Sequence, residues 1–192
     1  MNKHSGFTLV EMMATVAIMA VVLAVGVPSF QSITKGNRLV AHTNDLLNAL
    51  NFSRSEAIKR GQRVAICRTL NNNNVCQTDW TNSWEKGWMV FVDLNNNGTR
   101  DTGETILGVH GPFDYGVSGG DTIGYVAAAL NGSAITDGSF RNFIVYSPDG
   151  AVRALNGQIA SGSLFFSLCY KHLTNAILVN FVGRAGIRKN VC

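Results

Sequence analysis

Apolar and polar positions change rhythm twice along this chain of 192 residues. From Phe7 to Phe30 the run is almost wholly apolar, and Glu11 is its only ionisable side chain. A membrane-spanning helix needs about 20 mostly apolar residues, so this run predicts a span with some tilt. Farther on, Leu39, Leu46, Leu50 and Ala57 recur near helical spacing, with Val40, Leu47 and Ile58 beside them. Asn44, Asp45, Asn48, Ser55 and Glu56 fill the other side of that stripe. Lys59-Arg60-Gly61 reads as a helix end, because cations suit the last turn and glycine tolerates the left-handed cap. The pattern predicts one long helix, kinked or briefly broken between Pro28 and Gly36, since an internal proline removes a hydrogen bond and crowds the preceding turn.

After Gly61 the period shortens. Val64-Ala65-Ile66, Trp88 to Val92, Thr105-Ile106-Leu107, Asn142 to Tyr146, Leu164 to Leu168 and Ala176 to Val179 are short β-branched or aromatic runs. Turn-prone clusters such as Asn95-Asn96-Asn97-Gly98 and Pro148-Asp149-Gly150 separate them. Strands this closely spaced favour antiparallel pairing. The expected class is α+β, with the helix covering one face of an antiparallel sheet or pair of sheets. Trp80, Trp84 and Trp88 cluster about one strand and read as core.

The lone carboxylate in the apolar run admits three readings. A secretory signal peptide would set Lys3 and His4 before an apolar core and Ala24-Val25-Gly26 at a cleavage site, but such cores run only about 7–15 residues. A plain anchor accounts for the length and leaves Glu11 unexplained, although a charge at the bilayer centre costs about 2.5–3.5 kcal/mol. The third reading comes from the residues themselves. Gly6-Phe7-Thr8-Leu9-Val10-Glu11 resembles the class III signal of type IV pilins and type II secretion pseudopilins. The resemblance implies cleavage between Gly6 and Phe7 by a prepilin peptidase, and then N-methylation of Phe7. It also implies that Glu11 pairs with the free amino group of a neighbouring subunit's first residue, which would neutralise the carboxylate inside a fibre. Pro28 matches the place where pilin helices often bend. Residues 1–6 would be the leader, 7–30 the transmembrane and assembly helix, 31–61 its amphipathic continuation, and 62–192 a periplasmic β-rich domain.

Composition fits that division. Hydrophobic content of 46% and charged content of 15% describe a globular chain, not a disordered one. Setting aside residues 1–29 removes Lys3 and Glu11, so the exposed domain keeps the net charge of +4. Such an excess permits anionic partners without demanding one. Cys67, Cys76, Cys169 and Cys192 all lie beyond the apolar run, where an N-in, C-out anchor would place them in an oxidising periplasm. Three connectivities are open, and four free thiols are the alternative. The favoured pairing is Cys67–Cys76, closing a short loop, with Cys169–Cys192 tying down the last residue.

Two further segments carry candidate chemistry. Asp93 to Glu104 satisfies the EF-hand pattern, with Asp93, Asn95, Asn97, Asp101 and Glu104 at the oxygen-donor positions and Gly98 at the sharp turn. Strand-like flanks, in place of two helices, leave calcium and a plain polar hairpin both open. The second segment, Gly183 to Lys189, sets Arg184, Arg188 and Lys189 on a glycine-rich hairpin that could meet phosphates.

Asn48 to Gly61, Cys67, Gly87 to Asp93 and this final Gly-Arg hairpin resemble the GspH/FimT/FimU group of minor pilins and pseudopilins. FimT-like members are implicated in DNA uptake through a Gly-Arg-x-Arg tail, from which this chain departs, Gly186 standing where the second arginine belongs. Arg54, Lys59, Arg60, Arg63 and Arg68 form another basic group near the helix end. His4, His42, His110 and His172 are scattered, without metal-ligand spacing or a nucleophile motif, so the expectation is no enzyme and no cofactor beyond calcium. The expected protein is therefore a minor pilin or pseudopilin of the inner membrane. Its implied partners are other pilins, the prepilin peptidase and, in the alternative, double-stranded DNA, with a membrane-anchored enzyme as a remote third reading.

Overall fold

The computed structural model describes residues 6–70, 74–77, 84–113, 123–129, 142–168 and 173–189. Helix α1 (Leu9–Arg60) is followed by β1 (Val64–Arg68), a 3-10 turn at Trp84–Lys86, β2 (Trp88–Val92) and β3 (Ile106–His110). Then come β4 (Ile123–Ala129), β5 (Phe143–Tyr146), β6 (Val152–Arg153), β7 (Ala160–Leu168), β8 (Leu173–Val179) and β9 (Ala185–Lys189). Two compact units divide the chain, Met1–Arg38 and Leu39–Cys192.

The helix runs without interruption from Pro28 through Gly36, so of the expected kink or brief break the break is absent. Proline removes one rung of the hydrogen-bond ladder, and the rungs on either side suffice to continue it. Within the second unit a buried seam runs along α1 through Thr43, Leu46, Leu50, Ser53 and Ala57, all with no exposed surface. Their spacing alternates three and four residues, the period of one helix face. Ser53 fits there because its hydroxyl bonds back to the Ala49 carbonyl at 2.7 Å. Two expectations for this face need correction. Glu56, assigned to the polar side, is buried, and Val40 and Ile58, assigned to the stripe, are about half exposed. Glu56 tolerates burial because Arg60 Nε lies 2.6 Å from Oε2 and Lys59 Nζ 3.6 Å from Oε1.

Every described pairing is antiparallel, in two sheets ordered β3-β2-β1-β5-β6 and β4-β7-β8-β9. Strands β1, β2 and β5 are buried at every position. Their alternation survives as a choice between two cores. Val64, Ile66, Trp88, Val90, Ile144 and Tyr146 pack towards Leu46, Leu50 and Ala57 of the helix, joined by Ile177 and Val179 of β8. Ala65, Cys67, Met89, Phe91, Phe143 and Val145 form the second core on the opposite face. Each large apolar side chain so buried contributes about 1.5–3 kcal/mol, which explains why these strands read as unbroken apolar runs.

Two polar segments cover that second face. The expected Cys67–Cys76 disulfide forms, with Cα atoms 5.5 Å apart, and pins one loop there. The loop between β2 and β3 lays Gly98 so closely on the Phe143 ring that an added Cβ would come within 2.7 Å of it. Trp84 and Trp88 are buried, as core packing requires. Trp80, Cys169 and Cys192 lie outside the described residues, so the second disulfide pairing does too.

Candidate functional site

Thr8 sits just before the first helical residue, and Glu11 is third inside the helix. The Thr8 N–H and hydroxyl both donate to Glu11 Oε2, at 2.9 and 3.0 Å, and the Glu11 N–H donates to the Thr8 hydroxyl at 3.3 Å. This is a capping box, in which both residues serve helix donors that would otherwise be unpaired. Glu11 therefore has a partner inside its own chain. The role of Thr8 is absent from the sequence reading, although Thr-x-x-Glu before an apolar run is its signal. Phe7 is 82% exposed, and Leu9–Val27 is apolar enough to cross a membrane while none of its residues is buried in the protein.

The Asp93–Glu104 loop brings its five candidate residues into one network. Asp93 accepts the N–H groups of Asn97 and Gly98 at 3.2 and 3.0 Å. Glu104 accepts those of Leu94 and Asp101, both at 2.8 Å. Asp101 Oδ2 accepts the side-chain amides of Asn95 and Asn97, each at 2.7 Å. Asp93 is almost fully buried, and that burial raises its carboxyl, opposed by the N–H bonds and assisted by the nearby Glu104 charge. In this arrangement each carboxylate oxygen of Asp93 and Glu104 accepts one of the loop's own N–H groups and keeps a second lone pair. Among the described residues, no three His, Cys, Asp or Glu side chains are grouped to hold a metal.

The basic candidates separate into two kinds. Arg54 donates from Nε to the Gly150 carbonyl at 3.0 Å and from Nη2 to the Val182 carbonyl at 3.1 Å, clipping α1 to two turns. Arg68 is buried and donates to Asn142 Oδ1 at 2.7 Å. Lys59 and Arg60 face Glu56. Arg54 and Arg68 are thus structural, whereas the side chains of Lys59 and Arg60 stay largely in solvent beside Glu56. Arg184 and Arg188, by contrast, are exposed on the turn and strand of the last hairpin. Gly186 between them is exposed, while the side chain of Lys189 lies outside the described residues. Gly183 itself is a packing residue. Its φ is +75°, and a Cβ there would stand 1.9 Å from the Gly150 carbonyl oxygen.

His42 and His110, far apart in sequence, meet in an aromatic cluster. His42 stacks on Phe113 at 3.9 Å, and His110 stacks on Trp88 at 4.0 Å. His110 Nε2 lies 3.8 Å from Asp45 Oδ2, and its Nδ1 is 2.7 Å from the Gly111 carbonyl. Beside this cluster an open groove of about 300 Å³ runs between α1 and β3, with Trp88 and Val90 among its lining. His4 and His172 lie outside the described residues.

Comparison with known proteins gives two family matches. Residues 42–183 match the family described as type II transport protein GspH, and residues 1–27 match the prokaryotic N-terminal methylation motif. Comparison with curated proteins finds no match. Among solved structures, the chain is similar to the type IV minor pilin FimU of Pseudomonas aeruginosa in one crystal form. The identity is 14%, over 81% of this chain and 92% of that one, at a TM-score of 0.49. A second crystal form gives 14% identity over 76% and 88%, at a TM-score of 0.43.

Proposed function

Because the chain belongs to the GspH family, with a prokaryotic N-terminal methylation motif at its head, we propose that it is built as a minor subunit into the tip of a type IV pilus or type II secretion pseudopilus and helps prime its assembly. The observation that carries this reading is the Thr8–Glu11 box heading an apolar, unburied stretch from Leu9 to Val27. The subunit waits in the bacterial inner membrane with its β-rich domain in the periplasm. Prepilin peptidase cuts between Gly6 and Phe7, and Phe7 is then N-methylated. On assembly Glu11 exchanges its bonds to Thr8 for the amino terminus of a neighbouring pilin, and that charge pair sets the axial register. Apolar surface from Leu9 to Val27 passes from lipid to other pilin helices. The role is structural and asks nothing of the chain as a catalyst.

Charge reversal tests it. Glu11→Lys leaves two cations facing each other in a low-dielectric interior, a penalty of several kcal/mol. The expected outcome is prepilin still cleaved at Gly6–Phe7, but fibres or secretion lost, read by microscopy or a secretion assay. Normal fibres would sink the reading.

A second reading rests on the exposed Arg184 and Arg188 with an exposed glycine between them. In it, the last hairpin of the same subunit holds double-stranded DNA through its phosphates. Gel shifts with the full chain in detergent, at two salt concentrations, are the check. Replacing Arg184, Arg188 and Lys189 is expected to lower the salt slope by about 1 per cation removed. Binding that is absent at low salt, or indifferent to the replacements, removes this reading.

A further inference from the structure

We propose that the groove between α1 and β3 is a seat for one arginine or lysine side chain, presented by a neighbouring pilin subunit of different sequence. The inference rests on the reading of the chain as a fibre subunit and names one contact by which its domain meets the next.

The groove follows from a missing side chain. Gly108 pairs with Val90 and His110 with Trp88, so these four share the sheet face turned towards α1. A Cβ added at Gly108 would meet nothing within 4 Å, and a gap of about 300 Å³ stays open where a side chain would lie. Asp45, Asn48, Ala49 and Phe52 follow one another at helical spacing and form the wall on α1. Trp88, Val90 and Gly108 form the floor. Phe52 is 41% exposed, so the far end of the wall holds apolar surface open to solvent.

At the His110 end the polar groups are all of one kind. His110 Nδ1 lies 2.7 Å from the Gly111 carbonyl oxygen, which can only accept, so Nδ1 carries a proton and donates it there. In the neutral ring Nε2 is then a bare lone pair, and it lies 3.8 Å from Asp45 Oδ2. Two acceptors face each other with no proton between them. Stacking on Trp88, at 4.0 Å and within 10° of parallel, holds the imidazole in that pose. Among the described residues no lysine or arginine lines the groove, and the Asp45 side chain is 46% exposed.

An occupant must therefore bring N–H donors, positive charge and an apolar stem. A metal ion fits less well, because two ligands fall short of the usual set of three or four. An ammonium or guanidinium head meets both acceptors, the guanidinium through two neighbouring N–H groups. Its stem lies along Ala49 and Gly108 towards Phe52, which stands about 10 Å from Asp45 along the helix axis. That span suits a long side chain. On the tip reading the chain stands once in the fibre, so the cation comes from a subunit of another sequence.

The test has two arms, both on the full-length chain. In detergent the chain is titrated with n-butylguanidinium, and with n-butylurea as the neutral control, while the Trp88 indole and His110 ring are followed by nuclear magnetic resonance. Saturable shifts are expected with the cation alone. Asp45→Asn is expected to weaken them about three- to fivefold, the effect of losing an exposed ion pair, and Gly108→Val, which fills the groove, to abolish them. The nitrogen resonances of the His110 ring are expected to place its proton on Nδ1. A ring protonated on Nε2, no saturable shift, an equal response to n-butylurea, or indifference to Asp45→Asn each overturns the proposal. Formation of the Cys67–Cys76 disulfide, read on a non-reducing gel, reports folding, and Asp45→Asn decides alone if Gly108→Val fails it.

The second arm uses cells that assemble the fibre, with a photo-crosslinking residue in place of Phe52. The expected product joins this chain to a peptide of a different pilin that contains an arginine or lysine. Changing that cation to glutamate is expected to cut the yield about three- to fivefold, and Asp45→Lys to restore it. No product, a product with a second copy of this chain or with a protein that is not a pilin, a peptide without a cation, or a yield indifferent to the charge swap each overturns the proposal. Fibres that assemble normally while position 52 cross-links nothing remove the groove contact and leave the fibre-subunit reading standing.

Discussion

Asp149 lies in the turn between β5 and β6, where Ser147 donates its hydroxyl to Oδ1 and the Ala151 N–H adds a bond of 3.1 Å. Arg153 Nη2 stands 2.6 Å from Oδ2. The Ser147 bond first, then Arg153 and the Ala151 N–H, hold the carboxyl down at about 2, against an ordinary 3.8. The folded value lies below the unfolded one, so this stabilisation is present above pH 3.8 and is lost as pH falls through about 2. Asp149 is about half exposed, which limits the contribution to about 0.5–1 kcal/mol. Asp149→Asn is expected to lower the melting temperature slightly near neutrality and to flatten the acid limb of stability between those two values. Thermal melts at stepped pH provide the check. Side chains that act through charge are only partly legible in sequence. Glu11 declares itself by isolation in an apolar run, whereas Arg54 and Glu56 read as surface residues. Their long side chains carry charge back to carbonyls or counter-ions from a helix position that hydropathy assigns to solvent.

At the scale of elements, the Asp93–Glu104 loop behaves as a covering piece for the second core. Its carboxylates serve its own N–H groups, and Gly98 rests on Phe143. Asp93→Ala strands the Asn97 and Gly98 donors, one of them buried, and is expected to destabilise the domain by about 1–3 kcal/mol in denaturant unfolding. Calorimetric titration with calcium is expected to give no saturating heat. A saturable site that vanishes in Asp93→Ala would instead support the EF-hand reading. A twelve-residue pattern of Asp, Asn and Gly cannot separate the two cases, since turns and calcium sites draw on the same residues. Strands β1, β2 and β5 are legible because double burial makes them continuous apolar runs. β4 and β9 are not: Ile123–Ala129 is rich in alanine, and Ala185–Lys189 mixes glycine with cations. Such segments owe their extended form to the strands they pair with more than to their own propensity.

At the scale of the whole described domain, the helix and both sheets converge on one junction. Gly183, in the turn before β9, packs its α-carbon against the Gly150 carbonyl in the turn before β6, and Arg54 of α1 bonds to that same carbonyl. Gly183→Ala forces a Cβ into 1.9 Å contact at a left-handed φ and is expected to cost about 2–4 kcal/mol. Gly186→Ala, where an added Cβ meets nothing within 4 Å, is the control and should leave stability nearly unchanged. Denaturant unfolding of the full chain in detergent compares them. From sequence, Gly183-Arg184 reads as a ligand motif; its glycine is legible as structural only once the other turn is in place, because the pair lies 33 residues apart.

The doubly covered sheet has a last consequence, for how such a chain can diversify. A sheet with both faces under cover has only rims and turns left to offer. The apolar strands can then stay fixed while the borders change, so a new partner need not put the core at risk. Selection for what the domain touches is in this way uncoupled from selection for whether it folds.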